Sequence, residues 1–269
     1  MAYYSLKLVL DDEVADFKIS SNDEEHGNFD DLVIQTTWKN GRRDQFNIQA
    51  KHKQTGKNKN LLLAALQAEK GKFSVRKRFE EYIEKPSTDN AKLILFTNRK
   101  FDVGDNIELI RMQRFAVHIV HLKEHFEVIN TAKEKQNSVY KFYVKESEDG
   151  KKDKAAVQEI KQYKEFFRHF YLYTNQKNAN DVRDVITIIF QDKFKCDVNA
   201  VKNYLDFITT WCNSDGKKDI LNKEFLQLKI VECLLSPYIL VPTDSQNSER
   251  SVLFEEAIDR FDITVISNS

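Results

Sequence analysis

Hydrophobic positions along the chain follow two different periods. As far as Lys145 they fall mostly in short alternating or continuous runs, whereas beyond Ala155 they recur at helical spacing. Tyr3 to Leu10 is a short apolar stretch that fits the end of a helix, and Asp16 to Ser20 fits a strand. The segment FDDLVIQTTWKNGRRDQFNIQAKHK, Phe29 to Lys53, holds two alternating runs around Asn40-Gly41, which is the pattern of a β-hairpin. Leu61 to Glu69 predicts a helix with Asn60 as N-cap and Gly71 just past its end. Ser74 is placed to cap a second helix, with Val75, Phe79, Tyr82 and Ile83 on one face and Pro86 as its stop. AKLILFTN, Ala91 to Asn98, is a continuous apolar run of the kind found in a central buried strand. FAVHIVHL and VYKFYV read as further strands. The expected fold class is therefore α/β over residues 1–148, a mixed sheet flanked by helices.

The charged, aperiodic stretch ESEDGKKDKA, Glu146 to Ala155, reads as a linker. Four apolar stripes follow it. Val157, Ile160, Lys164, Phe167 and Tyr171 make the first, and Val182, Val185, Ile186 and Ile189 behind a capping Asn180 make the second. Val198, Val201, Leu205, Ile208 and Trp211 form the third, and Leu221, Phe225, Leu228, Val231 and Leu235 the fourth, stopped by Ser236-Pro237. These predict a separate all-α helical domain over 155–269.

Composition narrows the class. With 269 residues, 41% hydrophobic and 31% charged, the chain is long enough for a proper core and reads as globular. No apolar run approaches bilayer length, and MAYYSLKLVLDDE lacks the basic start and cleavage site of a leader, so an intracellular protein without a membrane partner is expected. Cys196, Cys212 and Cys233 are odd in number, widely spaced and set in apolar helical runs, which favours buried thiols over disulfides or a zinc cluster. Net charge is zero but uneven: residues 1–38 hold nine Asp/Glu and two Lys/Arg, and residues 39–78 hold two Asp/Glu and twelve Lys/Arg. A basic segment beside an acidic one suits a metal-dependent enzyme acting on a polyanion.

The hairpin is where that asymmetry acquires chemistry. On its second strand Phe46, Ile48 and Ala50 share one face, and Gln45, Asn47, Gln49, Lys51 and Lys53 the other. On the first strand Leu32, Ile34 and Trp38 form the apolar face, which puts Asp31 on the side of Gln49 and Lys51. A two-residue Asn-Gly turn would instead pair Lys51 with Asp30. A three-residue loop or a bulge, for which Arg42 and Arg43 leave room, restores Asp31. The hydrophobic pattern favours Asp31, with Asp30 in reserve. Mg²⁺ (or Mn²⁺) takes oxygen ligands from one or two carboxylates, and a substrate phosphate completes its shell. Asp31, the Gln49 amide oxygen and the Ala50 carbonyl could supply such ligands, with Lys51 placed to orient the nucleophile and offset developing charge. His52 and Lys53 would extend the positive rim along a phosphate backbone.

The spacing Asp31-x17-Gln49-x-Lys51, on a hairpin followed by a helix and a buried strand, resembles the PD-(D/E)xK nuclease superfamily. It is more similar still to the branch with Gln in place of Glu, as in Mrr-like restriction endonucleases and the nuclease domains of antiviral defence effectors. FDDLVI…FNIQAKHK also looks like the N-terminal domains of certain NACHT-type proteins. The resemblance covers residues 1 to 100. It implies a restriction-endonuclease-like fold, Mg²⁺-dependent hydrolysis of DNA, and catalytic and metal roles for Asp31, Gln49 and Lys51. An acid on the first helix often assists in that family, for which Glu13 and Asp16 are the candidates here. No G-x-x-x-x-G-K-[ST] occurs, so an NTPase would be a separate partner or a missing downstream module, and a homo-oligomer is a further expectation. The competing expectation is an inactive nuclease-fold module that binds nucleic acid or mediates assembly.

Other groupings read more simply. His118, His121 and His125 have metal-like spacing, but the alternation of Phe115, Val117 and Ile119 argues for a strand, which sends His118 and His121 to opposite faces. Lys70, Lys72, Arg76, Lys77 and Arg78 form a basic cluster that could contact DNA beside Arg42 and Arg43; Glu80, Glu81 and Glu84 could equally balance it as a solvated helix face. The aromatic run Tyr163, Phe166, Phe167, Phe170, Tyr171 and Tyr173 reads as core packing.

Overall fold

Helix α1 (Ala2–Leu10) leads into strand β1 (Val14–Ser20), which pairs antiparallel with β2 (Leu32–Trp38). A hairpin then joins β2 to β3 (Arg43–Ala50) with the register Leu32↔Ile48, Ile34↔Phe46 and Thr37↔Arg43. The Trp38 N–H donates to the Arg42 carbonyl at 2.9 Å, and the Gly41 N–H donates to the Trp38 carbonyl at 2.9 Å. Three residues, Lys39-Asn40-Gly41, thus make the loop, and its last position is left-handed (φ +82° at Gly41), where glycine has no Cβ to clash. This register is the one the apolar faces demand: a step beyond Leu32↔Ile48 sets Asp31, not Asp30, opposite Gln49.

These features belong to a computed structural model that describes residues 1–21, 29–52, 60–86, 91–101, 108–111, 115–122, 138–145, 154–196, 198–214 and 220–239, with backbone alone at 108–111 and 237–239. After the hairpin come α2 (Leu63–Gln67), α3 (Val75–Glu84) and β4 (Ala91–Phe96), then β5 (Glu108–Arg111), β6 (Ala116–His121) and β7 (Ser138–Lys145). Helix α4 (Lys154–His169) runs into β8 (Phe170–Thr174), followed by α5 (Ala179–Phe194), α6 (Val198–Asn213), the two-residue β9 (Leu221–Asn222) and α7 (Lys223–Ile239). The strands form one mixed sheet in the order β5-β6-β7-β8-β4-β3-β2-β1-β9. At its centre β3, β4 and β8 run parallel, and the rest pair antiparallel.

Both faces of the sheet are covered. Helices α1, α5, α6 and α7 pack Leu6, Leu8, Phe190, Tyr204, Ile208, Leu226 and Ile230 against Ile19, Ile34, Phe46, Ile48 and Ile94. On the other face α2, α3 and α4 pack Leu66, Phe79, Phe166 and Phe167 against Leu93, Leu95, Phe142 and Leu172. A strand covered twice has no solvated side, which is why AKLILF carries apolar residues without alternation.

The structure does not confirm the expected all-α domain over 155–269, because among its described residues two strands join the sheet. Strand β8 sits between β4 and β7 in the middle of the sheet, and β9 extends the sheet beyond β1. FYLYT continues the aromatic stripe of α4 without a break in composition, so the change from helix to strand at Phe170 leaves no periodic signal. The aromatic run is core, with Tyr163, Phe166, Phe167, Phe170 and Tyr173 all buried. Smaller departures follow the same logic. Leu62, not Asn60, precedes α2, and Asn178, not Asn180, caps α5 in a capping box with Asp181. Helix α7 continues through Pro237 and buries Leu226, Ile230 and Cys233, leaving Phe225 and Leu228 outside. The Ser74 cap is as expected, its hydroxyl accepting the Lys77 N–H at 3.0 Å. The three cysteines form no disulfide; Cys233 is buried, and desolvation pushes its thiol up to about 11, while Cys196 and Cys212 are half-buried. Among the described residues no helix is long and apolar enough to cross a membrane.

Candidate functional site

Parallel strands end together, and the crevice outside their carboxyl ends is where open α/β sheets bind ligands. Here β3 and β4 end at Ala50 and Phe96, and antiparallel β2 begins beside them, so Asp31 arrives at the same edge. The Asp31 Oδ2 atom accepts the Ala50 N–H at 2.8 Å and lies 3.8 Å from the Lys51 Nζ. Lys51 is fixed through its backbone, its N–H donating to the Phe96 carbonyl and its own carbonyl accepting from the Thr97 hydroxyl, both at 2.8 Å. Two strand ends therefore hold this lysine before its side chain does anything.

Helix α3 supplies the other wall. Phe79 stacks on Tyr163 of α4 with ring centroids 3.6 Å apart, and Arg78 and Glu81, three residues apart, turn back toward β3. Arg78 is only 3% exposed. Its Nη1 donates to Glu81 Oε2 at 2.6 Å and to Gln49 Oε1 at 3.3 Å, and its Nη2 donates to the Lys72 carbonyl at 3.4 Å. Among the described residues its Nε has no hydrogen-bond partner, so one donor of the guanidinium remains unsatisfied in a buried place.

The enclosed cleft has a volume of about 590 Å³. Lys51, Lys72, Lys77, Arg78 and Arg99 line it with Gln49, Ala50, His52, Phe73 and Glu81. Five cations face one lining carboxylate, an arrangement that attracts an anion. Burial dominates the acid–base equilibria here, and neighbouring charges modify them. Burial lowers the Lys51 pKa, Asp31 opposes the shift, and Arg78 and Lys72 add to it. Burial likewise lowers Arg78 against the pull of Glu81, and raises Glu81 against the pull of Arg78 and Lys77.

Asp31, Gln49, Ala50 and Lys51 are thus brought together, and Lys77 and Arg78 join them. Arg76 does not: it pairs with Glu69 at 3.3 Å and Glu80 at 3.0 Å and is absent from the cleft wall. Arg42 and Arg43 lie at the turn end of the hairpin, about 23 Å of strand from Ala50. Glu13 and Asp16 are at that same far end, since Val14 pairs with Trp38 and Asp16 with Thr37. His118 and His121 stand on a strand as expected, with His121 against the Tyr140 ring, while Lys53 and His125 lie outside the described residues. In the sequence Glu81 stood only in the alternative of a solvated helix face, and Thr97 and Arg99 were passed over. The signal available for the latter two was their position just after a buried parallel strand.

The donors suit a hard cation in kind. Among the described residues no cluster of three His, Cys, Asp or Glu side chains could hold a metal. What the edge offers instead is one carboxylate, Asp31, with the neutral oxygens of Gln49 and Ala50, the mixture Mg²⁺ accepts when water and phosphate fill the rest of its shell. In this arrangement the Gln49 oxygen is engaged by Arg78. Neither family models, curated proteins nor solved structures match the chain.

Proposed function

We propose that this chain is a metal-dependent nuclease of restriction-endonuclease-like fold that hydrolyses DNA phosphodiesters in the cleft at the end of β3. The observation that carries the reading is Asp31 set opposite Gln49 across β2 and β3, with its carboxylate 3.8 Å from the Nζ of Lys51, a residue of the wall of a cleft lined by surplus cations. Asp31, Gln49 and Ala50 would hold Mg²⁺ or Mn²⁺. When bound, the metal supplies Lewis-acid polarisation of a phosphate oxygen and lowers the pKa of a water.

The protein's own groups do the rest. Lys72, Lys77 and Arg99 hold the phosphate backbone as point charges and, for arginine, as a planar fork. Lys51, positioned by the Phe96 carbonyl and the Thr97 hydroxyl, orients the attacking water and offsets the charge that grows on the phosphate oxygens. Water oxygen bonds to phosphorus as the bond to the leaving sugar oxygen breaks; the attacking water releases a proton to solvent, and the leaving oxygen takes one up from solvent. Incubating supercoiled plasmid with the protein and Mg²⁺ or Mn²⁺ tests this: nicking that EDTA and Lys51→Ala both abolish is expected, and an intact plasmid under every divalent ion contradicts it.

One observation favours a second reading, a nuclease fold that binds nucleic acid without cutting it. The oxygen of Gln49 that should face a metal accepts a hydrogen bond from the buried Arg78 cation. Plasmid binding that survives EDTA, with no cleavage, selects that alternative.

A further inference from the structure

Behind the cleft, on the other face of the sheet, lies a second cavity of about 460 Å³. Its volume falls in the range of about 300–1,000 Å³ typical of small-molecule sites. The two spaces share Ala50 and His52, and Asp31 belongs to the second as well as to the metal-ligand set. The end of β3 is therefore a partition with a polar, cationic space on one side and a more apolar one on the other.

The second space has aromatic and aliphatic walls. Tyr3 and Tyr4 come from α1, packed edge to face at 5.7 Å, and Tyr4 meets Phe96 edge to face at 6.1 Å. His52 stacks on Phe96, with ring centroids 5.8 Å apart and planes 4° from parallel, at the partition itself. Val182 of α5 and Leu205 of α6 close the far side, and Arg183 of α5 and Lys177 just before that helix add two cations.

We propose that this cavity is a nucleobase subsite: one base of the DNA strand whose phosphate occupies the polar cleft enters it and packs against Tyr3, Tyr4 and Phe96. The inference rests on the nuclease reading for the identity of the strand. A cationic groove that tracks the backbone beside an aromatic platform is the general solution for holding a single strand, because every base has a stackable face. Extracting one base from its neighbours would also fix the scissile phosphate at a set distance from Lys51, which the cations alone cannot do, since phosphates repeat along the chain.

The test uses the full chain in EDTA with single-stranded oligonucleotides that carry 2-aminopurine at each position in turn. A fluorescence change confined to one position is expected, and an abasic residue there should weaken binding about tenfold or more. Thr209→Trp, at the exposed rim on α6, should fill the cavity and remove the position-specific signal while plasmid binding through the cleft persists. Leu205→Phe, which fills it from inside, should do the same, with thermal melting confirming that both variants fold. A signal uniform along the oligonucleotide, a signal untouched by either substitution, or no binding of the oligonucleotide overturns the subsite. The two readings fail separately. Cleavage with a uniform signal removes the subsite alone, and a position-specific signal without cleavage under any divalent ion removes hydrolysis alone.

Discussion

The two ends of the β2–β3 hairpin carry the same residue types and yet have different chemistry. At the turn, Arg42 lies 2.9 Å from Asp44 and sits over the Trp38 ring, whose indole N–H donates to the same carboxylate at 2.7 Å. That cluster is closed on itself and open to water, with the Arg42 side chain 58% exposed. At the other end Asp31 and Lys51 stand farther apart, at 3.8 Å, and neighbouring Lys72, Arg78 and Arg99 leave an excess of positive charge. Strand direction makes the difference. Only one end of β3 coincides with the carboxyl end of its parallel neighbour β4, and only there does α3 come down to form a second wall. An acid–base pair on a hairpin carries no functional meaning until the neighbouring strand is known.

The contrast can be broken in several ways, the largest first. Lys51→Ala should cut plasmid hydrolysis by about 10²–10³-fold, the effect of removing one preorganised electrostatic group, as measured by nicking rates under saturating Mg²⁺. Arg78→Met should be mainly a stability lesion. It leaves Glu81 without its closest partner, and chemical denaturation should show a loss of roughly 2–4 kcal/mol, with part of it restored in Arg78→Lys. The same substitution releases Gln49 from its hydrogen bond, so the surviving folded fraction should need less Mg²⁺ for half-maximal cleavage.

A pH effect sharpens the comparison further. The Lys51 pKa is held below the usual lysine value of 10.5, so its ammonium is lost as pH rises through that lowered value. Between the two values the unfolded chain keeps the proton and the folded chain does not, so stability rises with pH in that window. Cleavage that needs the ammonium should fall over the same window, a divergence that pH–rate and pH–melting profiles measured together would expose. Lys51→Arg should move the basic limb of the rate profile upward. Smallest of all, Asp44→Asn should cost about 1 kcal/mol of stability, since it weakens half-buried contacts at the turn, and should leave nicking rates unchanged.

How much of this was legible in the sequence depends on which part of the chain is considered. The hairpin could be read because its apolar faces and its glycine agree: Leu32 and Ile34 must face the side of Phe46 and Ile48, and a three-residue loop with a left-handed Gly41 satisfies that register. That Asp31, Gln49 and Lys51 lie together followed from register. The second half could not be read in the same way. Phe170 to Thr174 is as aromatic as the helix before it, and what makes it a strand is the open slot between β4 and β7, a tertiary fact. The fourth stripe holds in part: Leu221 and Val231 are buried, but Phe225 and Leu228 are apolar and outward, while Leu226 and Ile230 take the inner face. Arg78 and Glu81 shared one difficulty: in sequence they look like ordinary members of a charged helix, and only the approach of α3 to β3 buries them.

The nicking rate of Lys51→Ala set beside that of an Arg42→Ala/Arg43→Ala double variant, on the same supercoiled plasmid and at the same Mg²⁺ and salt, tests the central claim most directly. If the cleft at the carboxyl end of β3 does the chemistry, the lysine variant loses nicking while the turn variant keeps it. Equal losses, or a loss confined to the turn variant, would place the DNA at the other end of the hairpin and contradict the account.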